Sequence, residues 1–272
     1  MPLLLAYGQQ MKITERTQRV LNSEKQNIPR VVYSVNSKNK VRRAHLNSIE
    51  EFRDQNPEYR FEILDDSDGH DFLSSNFKGE KIVDVYERSM YGPMRADILR
   101  VALMLRLGGV YIDITKRLST PLSKLFPLET TFVFAHERNA IPTKLEIETD
   151  PLVCKNDRNL IVNWCMMSVP ENPIFETMVE LIEKDSHKYE RVVFDNPKHA
   201  ILELTGPYQY TKAVWRHLGR GGGSFHYAGI DFGETEYPLI KGSFSRNPFK
   251  PHYASIANAA ILKDSRLVDE CK

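Results

Sequence analysis

The sequence predicts an α/β fold, in which a mixed central sheet is flanked by helices, from three observations. First, a largely apolar helical stretch, residues 94–107, follows Gly92-Pro93 and ends at Gly108-Gly109, as proline near a helix start and glycine after its end predict. Second, residues 110–114 follow at once as a short apolar run typical of a buried strand. Third, 272 residues suit one large α/β domain, or such a domain with an appendage.

The other elements alternate between strands and helices, and each follows from its apolar spacing. The predicted strands are residues 30–35, 59–64, 131–135 and 160–169. The predicted helices are residues 44–56, 68–77, 82–91, 173–184, 197–204 and 208–218. Asp65 and Asp66, which follow the second strand, are interpreted as turn and cap residues, because neighbouring carboxylates on a strand point to opposite sides. Residues 138–158 lack periodicity and are predicted to form a long loop.

The composition excludes several classes of protein. A formal net charge of +1 gives no reason to expect nucleic acid or an anionic membrane as a partner. The three cysteines are too few and too scattered for a disulfide framework or a zinc site. The apolar start, residues 1–6, is too short for a membrane span, and no other stretch approaches one. We therefore expect a cytoplasmic protein, or a Golgi-lumenal one if an N-terminal anchor was removed.

Charged residues crowd the start of the long helix, where Arg95, Asp97 and Arg100 lie within its first turns. Arginine at this end opposes the helix dipole, so two arginines there favour a docked anion. Asp97 and Arg100 lie three residues apart and share a face. An ion pair between them that merely closes the helix is an equally good interpretation.

The strand after this helix predicts the second half of a site. Side chains alternate along a strand, so Tyr111, Asp113 and Thr115 should share a face, with Asp113 near the carboxyl end where ligands bind in open α/β sheets. Lys116 and Arg117 follow directly. An acid, a hydroxyl and two cations suit a metal-bound or lysine-bound diphosphate. The alternative is an ordinary strand end that enters a polar loop.

These residues also resemble glycosyltransferase family 32. The shared motifs are R-A-D-I-L-R at 95–100, G-G-V-Y-I-D-I-T at 108–115 and Pro-Leu at 121–122, with further similarity at 28–32, 56–66, 163–173 and 204–207. The family includes initiating α-1,6-mannosyltransferases and is similar to capsular polysaccharide synthesis transferases. The resemblance implies a GT-A, Rossmann-like domain at 28–218, after an N-terminal extension at 1–27 and before a C-terminal tail at 219–272 that completes the active site.

The resemblance also implies ligands and roles. The ligands are a nucleotide-sugar donor, a glycan or lipid-linked acceptor, and Mn²⁺ or Mg²⁺. The implied catalytic residues are Asp97, Arg100 and Asp113. The implied donor-binding residues are Ser34, Val35, Arg95, Tyr111, Lys116, Arg117, Asn163 and Thr205, and the implied metal ligands are Asp113, Thr115 and His252. Arg95 has a second interpretation as a residue that holds the helix, and Thr205 has one as a helix cap.

One position departs from the family pattern. The family usually reads Asp-x-Asp at the strand end, whereas this chain reads Asp113-Ile114-Thr115. A threonine hydroxyl brings no charge, so we expect weaker metal affinity. We hypothesise that Lys116 or Arg117 compensates by contacting the diphosphate directly, with Arg117 on the face of Asp113 if the strand continues that far.

The expected function is transfer of a hexose, with retention of configuration, from a GDP- or UDP-sugar to a hydroxyl acceptor. Retention follows from the resemblance alone. Two alternatives stay open. One is a catalytically weak homologue that still binds nucleotide sugars, which the change at Thr115 favours, and the other is a carbohydrate-binding module.

Overall fold

The fold is a mixed sheet with helices on both faces, and the computed structural model describes residues 26–36, 43–138, 160–218, 223–235 and 255–264. Within these residues the strands are β1 Val31–Val35, β2 Arg60–Leu64, β3 Gly109–Ile112, β4 Phe132–His136, β5 Cys165–Ser168 and β6 Phe225–Ile230. Their order in the sheet is β2-β1-β3-β5-β4-β6. Strand β5 is antiparallel to both its neighbours, and the other pairs are parallel. The predicted α/β fold with a mixed sheet is confirmed.

The helices occupy the predicted positions, with ends shifted by a few residues. Their bounds are Arg43–Gln55, Asp66–Asn76, Lys81–Arg88, Gly92–Arg106, Pro173–Asp185, Pro197–Leu204 and Pro207–His217. Asp65 is the N-cap of the second of these, and its side chain accepts hydrogen bonds from the backbone of Ser67 and Asp68, while Asp68 bonds back to the cap. The interpretation of Asp65 as a capping residue is therefore confirmed. No helix in the described ranges is long and apolar enough to cross a membrane.

Alternation along the strands divides the core between the two faces of the sheet. One face packs on the helix Gly92–Arg106, which we call the central helix; it includes Tyr33, Tyr111, Phe132, Phe134 and Met166. The other face includes Val32, Val110, Ile112, Val133, Cys165 and Met167. Strands β1, β3, β4 and β5 thus bury successive residues in different clusters, which explains why mostly apolar runs, rather than alternating ones, mark these strands in the sequence.

The central helix is buried nearly all round, as predicted. Every residue from 97 to 105 is buried, including Asp97 and Arg100. The helix ends at Arg106, and Gly108 and Gly109 follow with φ angles of +62° and +93°. A Cβ on Gly108 would lie 2.5 Å from the backbone nitrogen of Pro170, so both the left-handed backbone and the close packing require glycine there.

Two predicted strands are shorter than expected. Strand β3 ends at Ile112 rather than at residue 114, because residues 113–116 form a turn in which the Lys116 amide donates to the Asp113 carbonyl at 2.7 Å. The strand therefore does not continue to Arg117, and the condition under which Arg117 would share the face of Asp113 is not met. The predicted strand 160–169 is a strand only at Cys165–Ser168, since the residues before it make irregular bonds to the ends of β3 and β4.

The sheet topology brings six chain segments to one edge. The carboxyl ends of β1, β2, β3, β4 and β6 and the amino end of the antiparallel β5 all lie there. We call this the carboxyl edge. Asp113 follows β3, Glu137 follows β4, Trp164 precedes β5 and Asp231 follows β6, so polar residues that are far apart in the chain meet at this edge.

Candidate active site

A buried arginine on the central helix connects the helix to the carboxyl edge. The Nη2 atom of Arg100 lies 3.0 Å from Asp97 Oδ1, and its Nη1 lies 3.2 Å from Asp113 Oδ1. Nη1 also donates to the carbonyl of Asn163 at 2.8 Å, and the guanidinium lies 4.7 Å from the centre of the Tyr111 ring. Arg100 therefore fixes three segments relative to one another, and it does more than close the helix by pairing with Asp97.

Asp97 is the deepest carboxylate of this group. Besides Arg100, it accepts a hydrogen bond of 3.2 Å from Thr205 Oγ1. Burial raises the pKa of Asp97 to about 7, and the charge of Asp113 acts in the same direction, whereas Arg100 and the Thr205 hydrogen bond lower it. A carboxyl group with a pKa near neutrality, within reach of a second acid, is an arrangement that occurs often at functional sites.

Asp113 is the member of the group that reaches solvent, because 29% of its side chain is exposed. The Tyr111 hydroxyl donates to Asp113 Oδ1 at 2.7 Å, so these two residues share a face as predicted. Burial raises the pKa of Tyr111 well above its usual range, which keeps the hydroxyl protonated as a donor. Asp113 is thus oriented from behind by a hydroxyl and a guanidinium.

Three other predicted donor-binding residues form structural contacts. Ser34, at the end of β1, donates to the carbonyl of Ile112 at 2.7 Å and ties β1 to β3. Arg95 holds the helix start, since its Nη2 lies 2.9 Å from Asp66 Oδ2 and its Nη1 donates to the Ser89 carbonyl at 2.9 Å. Val35 is buried beside Ser34. Their donor-binding roles stay predictions.

Thr205 and His252 complete the predicted set. The interpretation of Thr205 as the cap of the helix Pro207–His217 is wrong, because the N-cap is Gly206, which has no side chain to accept from the helix backbone. The Thr205 hydroxyl instead contacts two acceptors, the Ile201 carbonyl four residues earlier and the Asp97 carboxylate 108 residues away. His252 lies outside the described residues, so its predicted role as a metal ligand stays a prediction.

The two cations after Asp113 have different environments. Lys116 is only 7% exposed, and its ammonium lies 5.2 Å from the centre of the Trp164 ring. Burial lowers the pKa of Lys116 to about 8, against the charges of Asp113, Glu137 and Asp231. Arg117 points outwards, is 45% exposed, and pairs with Glu51 on the helix Arg43–Gln55.

Sequence reasoning missed a second acidic group at the carboxyl edge. Asp231 is 2% exposed and has a φ angle of +47°, and its carboxylate lies 3.6 Å from Arg138. Burial raises the pKa of the nearby Glu137 to about 7, and Asp231 adds to the effect. His136, the residue before Glu137, contacts the Tyr227 hydroxyl at 3.1 Å. No local signal marks Asp231, because its position depends on the pairing of β6 with β4.

The described residues fit a conventional divalent-metal site poorly. Metal sites of this kind draw on several carboxylates, but Asp113 is followed two residues later by the neutral Thr115, and Oδ1 of Asp113 already accepts from Tyr111 and faces Arg100. Across the described ranges, no group of three acidic, histidine or cysteine side chains is arranged to hold a metal. Asp113 is the carboxylate that an ion would contact first.

Comparisons with known proteins agree with this geometry. Residues 42–132 match the family described as a glycosyltransferase sugar-binding region containing the DXD motif, a family whose members generally use a divalent metal. The initiation-specific alpha-1,6-mannosyltransferase of Schizosaccharomyces pombe is 25% identical over 224 residues, which cover 79% of this chain and 54% of that protein. Mannosyl phosphorylinositol ceramide synthase SUR1 of Saccharomyces cerevisiae is 24% identical, over 71% of this chain and 43% of that protein.

A third relative and a solved structure extend the comparison. Inositol phosphoceramide mannosyltransferase 2 of Schizosaccharomyces pombe is 22% identical, over 66% of this chain and 44% of that protein. The chain thus spans about half the length of the curated relatives it matches. The structure of PaToxG Glycosyltransferase matches with a TM-score of 0.53 and 15% identity, over 75% of this chain and 76% of that one, which supports the GT-A fold. The chain is therefore similar to glycosyltransferases of family 32, most directly over residues 42–132, and its fold is similar to that of a solved glycosyltransferase.

Proposed function

We propose that the protein transfers a hexose from a nucleoside diphosphate sugar to a hydroxyl of a glycan or lipid-linked acceptor, with retention of configuration. The observation that supports this most is the Asp97–Arg100–Asp113 group, which is buried at its base and open at Asp113. Sugar hydroxyls need a donor and an acceptor side by side. An arginine held between two carboxylates supplies both in a fixed geometry.

The three residues have different roles in this proposal. Asp113 is the carboxylate nearest to solvent and contacts the donor sugar or its ribose. Arg100 donates to the sugar hydroxyls and keeps Asp113 in place. Asp97 accepts from a hydroxyl and holds the Arg100 guanidinium, and Thr205 fixes its second oxygen at 3.2 Å. Because these groups are oriented before the donor arrives, binding costs little reorganisation.

We place the nucleotide at the ends of β1, β2 and β3, where a narrow cleft of about 10 Å³ lies between the sheet and the helix Arg43–Gln55 and must widen to admit a base. The residues that line it include Ser34, Phe52, Phe61, Ile63, Ile114 and Lys116. Apolar walls with a few polar groups suit the base and ribose. The cleft lies beside Asp113, so a diphosphate can pass from this cleft to the acidic group.

The proton of the acceptor hydroxyl needs a destination. When configuration is retained, the acceptor can enter on the same face of the donor sugar from which the phosphate leaves. The leaving phosphate oxygen can then take the acceptor proton itself. The site then needs neutralisation of the phosphate more than a strong protein base. Glu137, whose pKa burial raises to about 7, is a nearby group able to accept a proton near neutral pH.

We propose mannose as the first sugar to test, because all three relatives are named for mannosyl transfer or a mannosyl product. GDP- and UDP-sugars are both candidate donors, and each is tested with and without Mn²⁺ or Mg²⁺, the ions that the family resemblance implies. The test combines purified protein with a panel of GDP- and UDP-hexoses and measures release of nucleoside diphosphate and labelled transfer to monosaccharide and inositol-lipid acceptors. Asp113→Asn should abolish both, whereas Glu129→Gln, an exposed site remote from the carboxyl edge, should change neither.

The neutral Thr115 favours a second candidate, a homologue that binds the donor but transfers slowly. It predicts nucleotide binding together with hydrolysis and transfer at the rate of the uncatalysed control. A rate clearly above background that Asp113→Asn removes would exclude it. Saccharide binding without any nucleotide dependence would contradict both candidates and indicate a carbohydrate-binding module.

A further inference from the structure

The turn after β3 brings a lysine back to the residue that begins it. Asp113 and Lys116 are joined by a backbone hydrogen bond of 2.7 Å, and the Asp113 amide bonds the Trp164 carbonyl at 2.8 Å. The turn is therefore anchored to the segment before β5. The Lys116 ammonium lies 5.2 Å from the centre of the Trp164 ring, an aromatic face that attracts a cation. The position of this charge beside Asp113 is set by the fold.

Lys116 also lines the narrow cleft beside which the donor is proposed to bind. The cleft lies at the ends of β1, β2 and β3, and its lining includes Ser34, Ile112 and Ile114. Arg117 is turned away and pairs with Glu51 on the outer helix. Of the two cations after Asp113, Lys116 is therefore the one in a position to meet a diphosphate between the cleft and Asp113.

The charges of Asp113 and Lys116 balance each other without a metal ion. In an Asp-x-Asp site, two carboxylates and one divalent ion sum to zero before the diphosphate binds. Here Thr115 is neutral, and the charges of Asp113 and Lys116 already sum to zero. The other charges at the carboxyl edge include Asp97 with Arg100 and Asp231 with Arg138, which pair with each other, and Glu137. A divalent ion placed beside Asp113 would also meet the Lys116 ammonium, which repels it.

In an Asp-x-Asp site, the bound metal ion neutralises the charge of the diphosphate. We propose that the Lys116 ammonium does this here, so that the site binds a nucleoside diphosphate in the absence of divalent ions. This inference rests on the proposed function, since it assumes a nucleoside diphosphate donor. Metal added to the protein would then improve donor binding only modestly. The ammonium would act as a point charge on the phosphates, a task to which lysine is suited.

Calorimetric titration of UDP and GDP tests the proposal, with the protein in EDTA and again in Mn²⁺. We expect the wild-type protein to bind one nucleotide in EDTA, with an affinity that Mn²⁺ raises by less than about tenfold. Lys116→Met keeps the chain length and removes the charge. It should weaken binding in EDTA by about 10- to 100-fold, the range expected for loss of a charge-assisted hydrogen bond.

Two further variants sharpen the result. Lys124→Met makes the same change at the exposed end of the short turn Leu122–Lys124 and should leave binding unchanged. Thr115→Asp combined with Lys116→Met rebuilds the usual pair of acids, and it should bind the nucleotide well in Mn²⁺ and poorly in EDTA. A melting curve of each variant checks that it is folded. If Lys116→Met does not fold, the comparison of wild-type nucleotide binding in EDTA and in Mn²⁺ tests the proposal by itself.

The outcomes separate this inference from the function on which it rests. Wild-type binding that requires Mn²⁺, or equal binding by wild type and Lys116→Met, would overturn the role of Lys116 and leave the transferase proposal standing. No binding of either nucleotide under both conditions would overturn the proposed function, and the present inference with it.

Discussion

Replacing Arg100 by methionine should destabilise the protein strongly and in a pH-dependent way. The Arg100 side chain is 7% exposed and faces two carboxylates, Asp97 at 3.0 Å, itself 9% exposed, and Asp113 at 3.2 Å. Loss of one partner from a buried pair leaves the other charge uncompensated, which costs about 3–5 kcal/mol. Asp97 accounts for most of this cost, because Asp113 is 29% exposed and stays hydrated.

The pH dependence has a definite sign. Burial raises the pKa of Asp97 to about 7 in the native protein, so the native state holds a proton that the unfolded state releases near pH 4, and stability falls as pH rises between these values. Arg100 lowers this pKa, so its removal raises it further. The stability of the wild type should level off above pH 7, whereas the stability of Arg100→Met should continue to fall there. The difference in unfolding free energy between the two proteins should therefore grow by up to about 1.4 kcal/mol per pH unit.

Urea unfolding at pH 6, 7 and 8 measures both quantities. Arg106→Met is the matched control, because Arg106 lies on the same helix, is 31% exposed and makes two ion pairs of 3.4 Å at the surface. It should cost about 1 kcal/mol or less from its charges, with no change above pH 7. A cost for Arg100→Met below about 1 kcal/mol, or one that does not grow between pH 7 and 8, would refute the reasoning.

Three other predictions follow from single features. Gly108→Ala should lower the melting temperature markedly, since its φ is +62° and the new Cβ would lie 2.5 Å from Pro170; equal melting of the two proteins would contradict this packing. Asp65→Ala should cost about 0.5–2 kcal/mol in urea unfolding through loss of the capping box, whereas Asp71→Ala within the same helix should cost less. Glu137→Gln should flatten the fall in stability between pH 5 and 7, because the raised pKa of Glu137 makes its ionisation unfavourable in the native state; an unchanged profile would show that Glu137 is not the group that titrates.

The local elements of the fold could be predicted from the sequence, because their signals are local. Pro93 and Gly108 mark the ends of the central helix, and the apolar residues between them show that it is buried. The pairing of Tyr111 with Asp113 followed from strand alternation alone. Asp65 could be recognised as a cap from its place between a strand and a helix.

The rest of the site depends on contacts between distant segments. Thr205 meets Asp97 across 108 residues, and nothing in the sequence favours this partner over a local helix cap. The turn at 113–116 separates Lys116 from Arg117, although both follow Asp113 directly. Asp231 reaches the carboxyl edge only because β6 pairs with β4. The pattern of a single sequence predicts which residues share a face of a helix or strand. The three placements described here are instead set by tertiary packing.

The pairing of β6 with β4 has a consequence for how the chain folds on the ribosome. Phe132 on β4 packs against Phe225 on β6 at 5.5 Å between ring centres, and the intervening segment must be synthesised before they can meet. Until then, β4 has an unpaired edge rich in aromatic side chains, the kind of surface that nascent chains use for wrong associations. Completion of the sheet by β6 is therefore a late event, and a chain stalled before β6 is synthesised would present β4 as an unpaired edge strand and would lack Asp231.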